Sequence, residues 1–166
     1  AFNQMQVQHN IDVSFASGVR ALLRQDPDII MIGEIRDLQT AEMAIQAALT
    51  GHLVISTLHT NDAPTAITRL LDLGVPSYMI KATVLGVMAQ RLVRTLCPHC
   101  KVEDEADPEA WQQLTHPFKA TAPGHVYWPK GCLECRDTGY LGRLGIYELL
   151  PMTDAVKALV TSDADI

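Results

Sequence analysis

Two short apolar runs, residues 29–32 and 53–58, stand on either side of a segment whose apolar residues recur at helical spacing. Both runs are nearly all apolar and rich in β-branched residues, the composition of parallel strands covered on both faces. Between them, residues 38–50 place Ala41, Met43, Ala44, Ala47, Ala48 and Leu49 on one stripe, with Asp37 to cap the start and Gly51 to stop the end. The pattern predicts a βαβ unit. Upstream, residues 15–24 bring Phe15, Val19, Leu22 and Leu23 onto one helical face and Arg20 and Arg24 onto another, and Asp26-Pro27 ends that helix. Residues 2–13, where Met5 and Val7 alternate with polar neighbours, allow an edge strand.

Downstream, Asn61-Asp62-Ala63-Pro64 reads as a helix start, 66–73 as an amphipathic helix and Gly74 as its stop. Pro76 and Ser77 then open a long predicted helix over 78–94, with a small-residue face of Met79, Ala82, Thr83, Leu85, Gly86 and Ala89. Residues 101–110 read as a solvated acidic segment and 108–114 as a short helix. A loop-rich stretch follows, punctuated by Pro117, Pro123, Gly124 and Pro129. Gly139-Tyr-Leu-Gly142-Arg143 predicts a turn into an extended segment over 144–149, ended by Pro151, and 154–160 reads as a last helix.

In a right-handed crossover the residues just past both strands meet at one rim of the sheet, where open α/β sheets bind ligands. Those residues are Glu34, Arg36, His59 and Asn61. A carboxylate, a guanidinium and an imidazole there make a candidate reaction site; the plainer reading is solvated loop-end charges and a hydrogen-bonded histidine.

The 166 residues are 48% hydrophobic, enough for one core and a small second module. No run reaches the 18 or more apolar residues of a membrane span, and the first residues lack a basic start followed by an apolar block, so a cytoplasmic chain is expected. Net charge is −6, with 7 Lys/Arg and 8 Asp/Glu in residues 1–100 against 6 and 11 in 101–166. Neither part carries the basic stripe of a nucleic-acid surface.

All four cysteines fall in Cys97-Pro-His-Cys100 and Cys132-Leu-Glu-Cys135, 31 residues apart. Two residues between cysteines let both sulfurs converge on one tetrahedral ion, and two such turns supply four thiolates. Zinc is the expected ion; two disulfides, an iron–sulfur cluster and a redox Cys-x-x-Cys are the alternatives. His99 sits inside the first turn as a bystander. A four-thiolate site leaves no open position, so its role would be structural, tying a loop-rich segment to the end of the long helix.

Several ordered motifs carry a resemblance: Leu23-Arg24-Gln25-Asp26-Pro27-Asp28, Gly33-Glu34-Ile35-Arg36-Asp37, Thr40-Ala41-Glu42, Thr50-Gly51-His52 and Ser56-Thr57-Leu58-His59-Thr60-Asn61-Asp62-Ala63. They resemble the secretion ATPase superfamily of type II secretion and type IV pilus assembly, most of all its general secretory pathway E proteins. The resemblance implies an α/β fold with a RecA-like parallel-sheet core, incomplete here, and a small zinc module to which Cys97, Cys100, Cys132 and Cys135 map. It divides the chain into 1–96, the C-terminal part of the ATPase core; 97–143, the zinc module; and 144–166, a strand and the start of a helical region.

By the same resemblance, Glu34 ends a Walker B strand and would polarise water or support Mg2+, although Gly33 stands where many ATPases have Asp. His59 would contact the terminal phosphate of ATP. Arg36 and Asn61 would lie at the nucleotide, Arg36 and Asp37 would form a pair at the strand end, and arginines of the first helix would lie near the nucleotide or a subunit boundary. Arg69, Arg91 and Arg94 would project from helices. No Gly-x-x-x-x-Gly-Lys-[Ser/Thr] occurs and none of the lysines follows a glycine, so the residues are expected to be the C-terminal part of a longer ATPase and inactive alone. The parent would be a homo-hexamer acting with inner-membrane secretion platform proteins, itself neither membrane-inserted nor bound to nucleic acid. From a different class, the alternative is a non-catalytic zinc-bearing interaction module.

Overall fold

The structure is a computed structural model that describes residues 3–8 and 13–161. Much of the expected edge strand at 2–13 lies outside the described residues; what is described is a single antiparallel bridge from Gln8 to Val13.

The first helix, α1 (Phe15–Leu22), starts where the Ser14 hydroxyl accepts the Ser17 N–H at 3.2 Å and Ser17 returns the favour to the Ser14 N–H. It tightens into a 3₁₀ turn over Leu23–Gln25, and Asp26, at φ 51°, ends it ahead of Pro27. Then β1 (Ile29–Ile32), α2 (Leu38–Leu49) and β2 (Leu53–Ser56) form the expected βαβ unit. The strands are parallel, with Ile29 opposite Leu53 and Ile32 opposite Ser56. Asp37 caps α2 through both carboxylate oxygens, to the Thr40 N–H at 2.8 Å and the Thr40 hydroxyl at 3.1 Å. Gly51, at φ 99°, turns the chain back.

The next helix, α3 (Ala63–Asp72), is capped by Asp62 and has Pro64 in its first turn; α4 is Ser77–Thr83. Five more elements are β3 (Gly86–Leu96), β4 (Val102–Glu105), α5 (Pro108–Thr115), β5 (His125–Trp128) and β6 (Tyr140–Pro151), and α6 (Asp154–Leu159) closes the order. β3 pairs with β6, and β4 with β5 antiparallel.

The chain divides into two compact units, residues 1–89 with 147–166, and residues 90–146. In the first, α2 serves two clusters. Ala44 and Ala47 pack with Val19, Ile30 and Ile32; Ala41 packs with Ile67, Leu70, Val75, Ile80, Met152 and Val160. Ile80 is 0% exposed. Ile80→Ala is therefore expected to cost about 2–5 kcal/mol, read as a lower midpoint in urea unfolding.

Three expectations need correction. The strands β1 and β2 are covered on one face only among the described residues: Ile30 and Ile32 are buried, whereas Ile29, Met31, Leu53 and Ile55 are exposed. Second, no helix runs over 78–94. Val84 is already extended and β3 follows, because this stretch, with Val87, Val93 and Thr95 spaced along it, finds its partner some fifty residues later in β6. The small residue at 86 serves that pairing: a Cβ on Gly86 would come within 3.2 Å of the Leu150 carbonyl oxygen. Arg91 and Arg94 thus project from a strand, and Arg94 lies 3.8 Å from the centre of the Tyr140 ring. Third, the acidic segment contains β4, whose partner β5 lies within the proline-punctuated stretch. The pair is held by ladder bonds and by Glu103, which accepts from the Tyr127 hydroxyl at 3.2 Å and meets His125 at 3.1 Å. All four residues of β4 are exposed, so no hydrophobic alternation marks it.

Candidate functional site

Because β1 and β2 run parallel and in register, the chain leaves both at the same rim. There the loops are bonded to each other: the Thr57 hydroxyl donates to the Gly33 carbonyl at 2.7 Å and the Ile35 N–H to the Thr57 carbonyl at 3.0 Å. That fixes the backbone around Glu34. One carboxylate oxygen of Glu34 takes Arg36 Nη2 at 2.6 Å and the other takes His59 Nε2 at 3.0 Å. The Glu34 side chain is 18% exposed, against 67% for Arg36 and 83% for His59. An ionised carboxylate only accepts, so His59 carries its proton on Nε2 here.

The hydrogen bond from Arg36 is the main reason the Glu34 carboxyl sits below its ordinary value; partial burial opposes it and His59 assists. Glu34 is therefore an ionised acceptor in this arrangement, poised to hold a donor or cation rather than to carry a proton. A depressed carboxyl contributes stability above the ordinary carboxylate range, and the contribution disappears as pH falls through the folded value. Arg36→Ala is expected to raise the Glu34 pKa, measurable by carboxyl NMR titration; an unmoved value would show that Arg36 does not govern it.

The structure thus brings together Glu34, Arg36 and His59. Asn61 lies two residues beyond His59 and lines, with His59, Thr60 and Thr65, an open depression of about 360 Å³. The expected Arg36–Asp37 pair does not form: Arg36 is taken by Glu34, and Asp37 by the first turn of α2. Two residues were missed. Thr57 was visible only as part of a motif. Glu148 gave no local signal, because its partner, the Ala63 N–H at 2.9 Å, is 85 residues away.

In the second unit the cysteine turns converge. Cys97 Sγ lies 3.9 Å from Cys132 Sγ, Cys100 Sγ 3.8 Å from Cys135 Sγ, and Cys132 Sγ 3.7 Å from Cys135 Sγ. These are far beyond the roughly 2.05 Å of a disulfide, so the paired-disulfide alternative is not what the structure holds. Four sulfurs bonded tetrahedrally at about 2.3 Å to one ion stand about 3.8 Å apart. The four cysteines could hold a metal ion, and His99 is not among them.

The turn geometry is built for anionic sulfur. The N–H groups of Cys132 and Gly139 both donate to Cys135 Sγ at 3.2 Å. Burial pushes the Cys135 thiol up, but these donors and the neighbouring thiols outweigh it and bring it down to about 6. Burial pushes Cys100 up to about 11. Gly139, at φ 75°, has no room for a side chain: a Cβ would lie 2.4 Å from Pro129 Cβ. The turn also needs two non-glycine residues at positive φ, Arg136 at 53° and Asp137 at 59°.

The structure is similar to the pilus retraction motor PilT with bound ADP, at 32% identity and a TM-score of 0.56, over 89% of this chain and 32% of that one. The ATPase DotB of Legionella pneumophila gives 28% identity and a TM-score of 0.55, over 87% of this chain and 29% of that one. The fold is therefore an α/β fold with small sheets, of the class to which these ATPases belong. Among curated relatives, the type IV pilus assembly ATPase TfpB of Acinetobacter baylyi is 61% identical over 166 residues, 100% of this chain and 28% of the relative. The type II secretion system ATPase E of Vibrio cholerae serotype O1 is 54% identical over 161 residues, 97% of this chain and 32% of the relative. A family model described as Type II/IV secretion system protein matches residues 1–166, and the chain belongs to that family. It spans 28% and 32% of the length of these two relatives.

Proposed function

We propose that these residues are part of a cytoplasmic motor ATPase that drives secretion through pseudopilus assembly, or pilus assembly, at the inner membrane. The observation that carries this reading is the meeting of Glu34 and His59 at 3.0 Å on the rim beyond two parallel strands. In a RecA-like parallel-sheet core, that rim is where a nucleoside triphosphate lies. Glu34 would orient water and support Mg2+, His59 would reach the terminal phosphate through its exposed edge, and Arg36 and Asn61 would flank the nucleotide. Arg36 first holds the Glu34 carboxylate ionised, which suits it to a cation.

The exposed apolar face of β1 and β2, carrying Ile29, Met31, Leu53 and Ile55, supports a sheet completed by further residues of the whole protein. Those residues would also supply the phosphate cradle, since no Gly-x-x-x-x-Gly-Lys-[Ser/Thr] occurs in this sequence. The 166 residues alone are thus proposed to be inactive. The active form would be a homo-hexamer working with inner-membrane platform proteins. No helix among the described residues is long and apolar enough to cross a membrane. Zinc is the ion we assign to Cys97, Cys100, Cys132 and Cys135, on the match of sulfur separations to a tetrahedral thiolate set; it would be structural.

The test is ATP turnover by the full-length protein, measured over a range of protein concentrations. Turnover that rises with assembly and requires Glu34 supports the reading. Undiminished turnover in Glu34→Gln would remove Glu34 from its role, and no nucleotide response in the full-length protein would remove the motor.

A further inference from the structure

The loop that carries His59 ends at the first turn of α3. Asp62, the N-cap, accepts the Thr65 N–H at 2.8 Å, which leaves the N–H of Ala63 with no acceptor inside the helix. Ala63 is 0% exposed, so a missing partner there would be costly. The acceptor is Glu148 Oε2 on β6, at 2.9 Å. A carboxylate is also the group that the positive end of a helix favours.

Residues 60–62 separate His59 from Ala63, and Thr60 braces this loop from Leu58 to Asp62. The Thr60 N–H donates to the Leu58 carbonyl at 3.1 Å and the Thr60 hydroxyl to the Asp62 carbonyl at 3.1 Å. A short loop braced this way passes a shift of Ala63 on to His59. At its other end, His59 has to meet Glu34.

We propose that Glu148 is a positioning residue for the candidate site: by anchoring the start of α3 to β6 it sets where the His59 imidazole stands against the Glu34 carboxylate. The inference rests on the ATP-hydrolysing reading above. Glu148 acts through a backbone N–H and not through the nucleotide, so its loss falls on kcat rather than on KM.

Three substitutions in the full-length protein separate the possible causes. Glu148→Gln keeps an acceptor at the same reach without the charge, Glu148→Asp keeps the charge one methylene short, and Glu148→Ala removes both. The expected result is a fall in kcat on the order of tenfold in the Ala and Asp variants, with Gln within about twofold of wild type, since small misplacements of reacting groups are costly. KM for ATP stays near wild type at temperatures where every variant is folded; the melting temperature falls in Ala and Asp, where the buried N–H loses its partner, and amide exchange over residues 60–65 quickens in those two alone. Should the Ala variant fail to fold, the Asp and Gln pair carries the comparison.

Equal kcat in all the proteins overturns the proposal. So does a loss in Gln as large as that in Asp, since Gln keeps an acceptor at the native reach, or a loss that appears only on approaching each variant's melting temperature, which would assign it to folding. Glu34→Gln run in parallel tells two failures apart. If that variant keeps full turnover, the reading of the ATP site fails; if it is inactive while Glu148→Asp is unaffected, only the role of Glu148 fails.

Discussion

Glu34→Gln in the full-length protein is expected to lower kcat for ATP hydrolysis by about 10²-fold or more, the scale for losing the group that orients a reactant, with a much smaller change in KM. Glutamine occupies nearly the same space and keeps one carbonyl oxygen, so the backbone lock between Gly33 and Thr57 should survive. What disappears is the negative charge and the second acceptor. In the native arrangement both oxygens are engaged, by Arg36 at 2.6 Å and His59 at 3.0 Å. An amide can accept from only one of them and points N–H groups at the other, which repels a guanidinium or a protonated Nε2. The substitution therefore disorders the imidazole as well as removing the site for water or cation. Nucleotide affinity depends mainly on the phosphate cradle, outside this group, and should be retained. A variant that binds ATP like wild type and turns it over at more than about a tenth of the wild-type rate would place the chemistry on another residue.

How much of this was legible in the sequence follows the range of the interactions. The βαβ unit is specified locally: β-branched runs, an Asp at the helix start, a Gly at its end, and a crossover whose hand follows from strand twist. Caps at Asp37 and Asp62, and the left-handed stop at Gly51, stand where residue type alone puts them. The convergence of Glu34, Arg36 and His59 follows from parallel register, and so could be read before any coordinates. The β3 and β6 pair could not. Residues 78–94 have a helical face if read in isolation, and only the partner at Tyr140–Pro151 decides in favour of a strand. β4 was hidden for another reason, since a fully exposed strand need not alternate apolar and polar residues, and β5 is marked only by its pairing with it. Arg36 was placed beside Asp37 because they are neighbours in sequence, yet capping α2 commits both oxygens of Asp37 to Thr40. The cysteines were legible as a set, because ligand spacing is a local property, whereas the glycine at 139 owes its identity to Pro129 across the turn.

Removing the metal, by chelation or by Cys97→Ser or Cys135→Ser in the full-length protein, is expected to unfold residues 90–146 while leaving the first unit structured. The reason is the poverty of that unit's core. Its buried apolar residues are Cys97, at 0% exposure, and Cys135, at 5%, so the thiol cluster occupies the place a hydrophobic core would hold. A small unit of this kind needs a staple, and structural zinc sites in peptides supply an apparent ~10–16 kcal/mol near neutral pH. Serine keeps the size of the side chain but is a poor ligand for zinc, and the remaining three sulfurs then carry charge without a counter-ion. Acid acts in the same direction, because protons compete with the ion for the sulfurs. The fold by itself favours the thiolate of Cys135, brought down to about 6, while burial pushes Cys100 up to about 11, so an ion is needed to hold all four sulfurs as thiolates together. Zinc content by mass spectrometry, together with amide exchange across the two units, reads the outcome. The expected native protein holds one ion per four thiolates, and the serine variants hold none and exchange rapidly over 90–146. Native protein without metal whose residues 90–146 are nonetheless protected would mean that β-ladder bonding alone suffices, and that the cysteines sit close for some other reason.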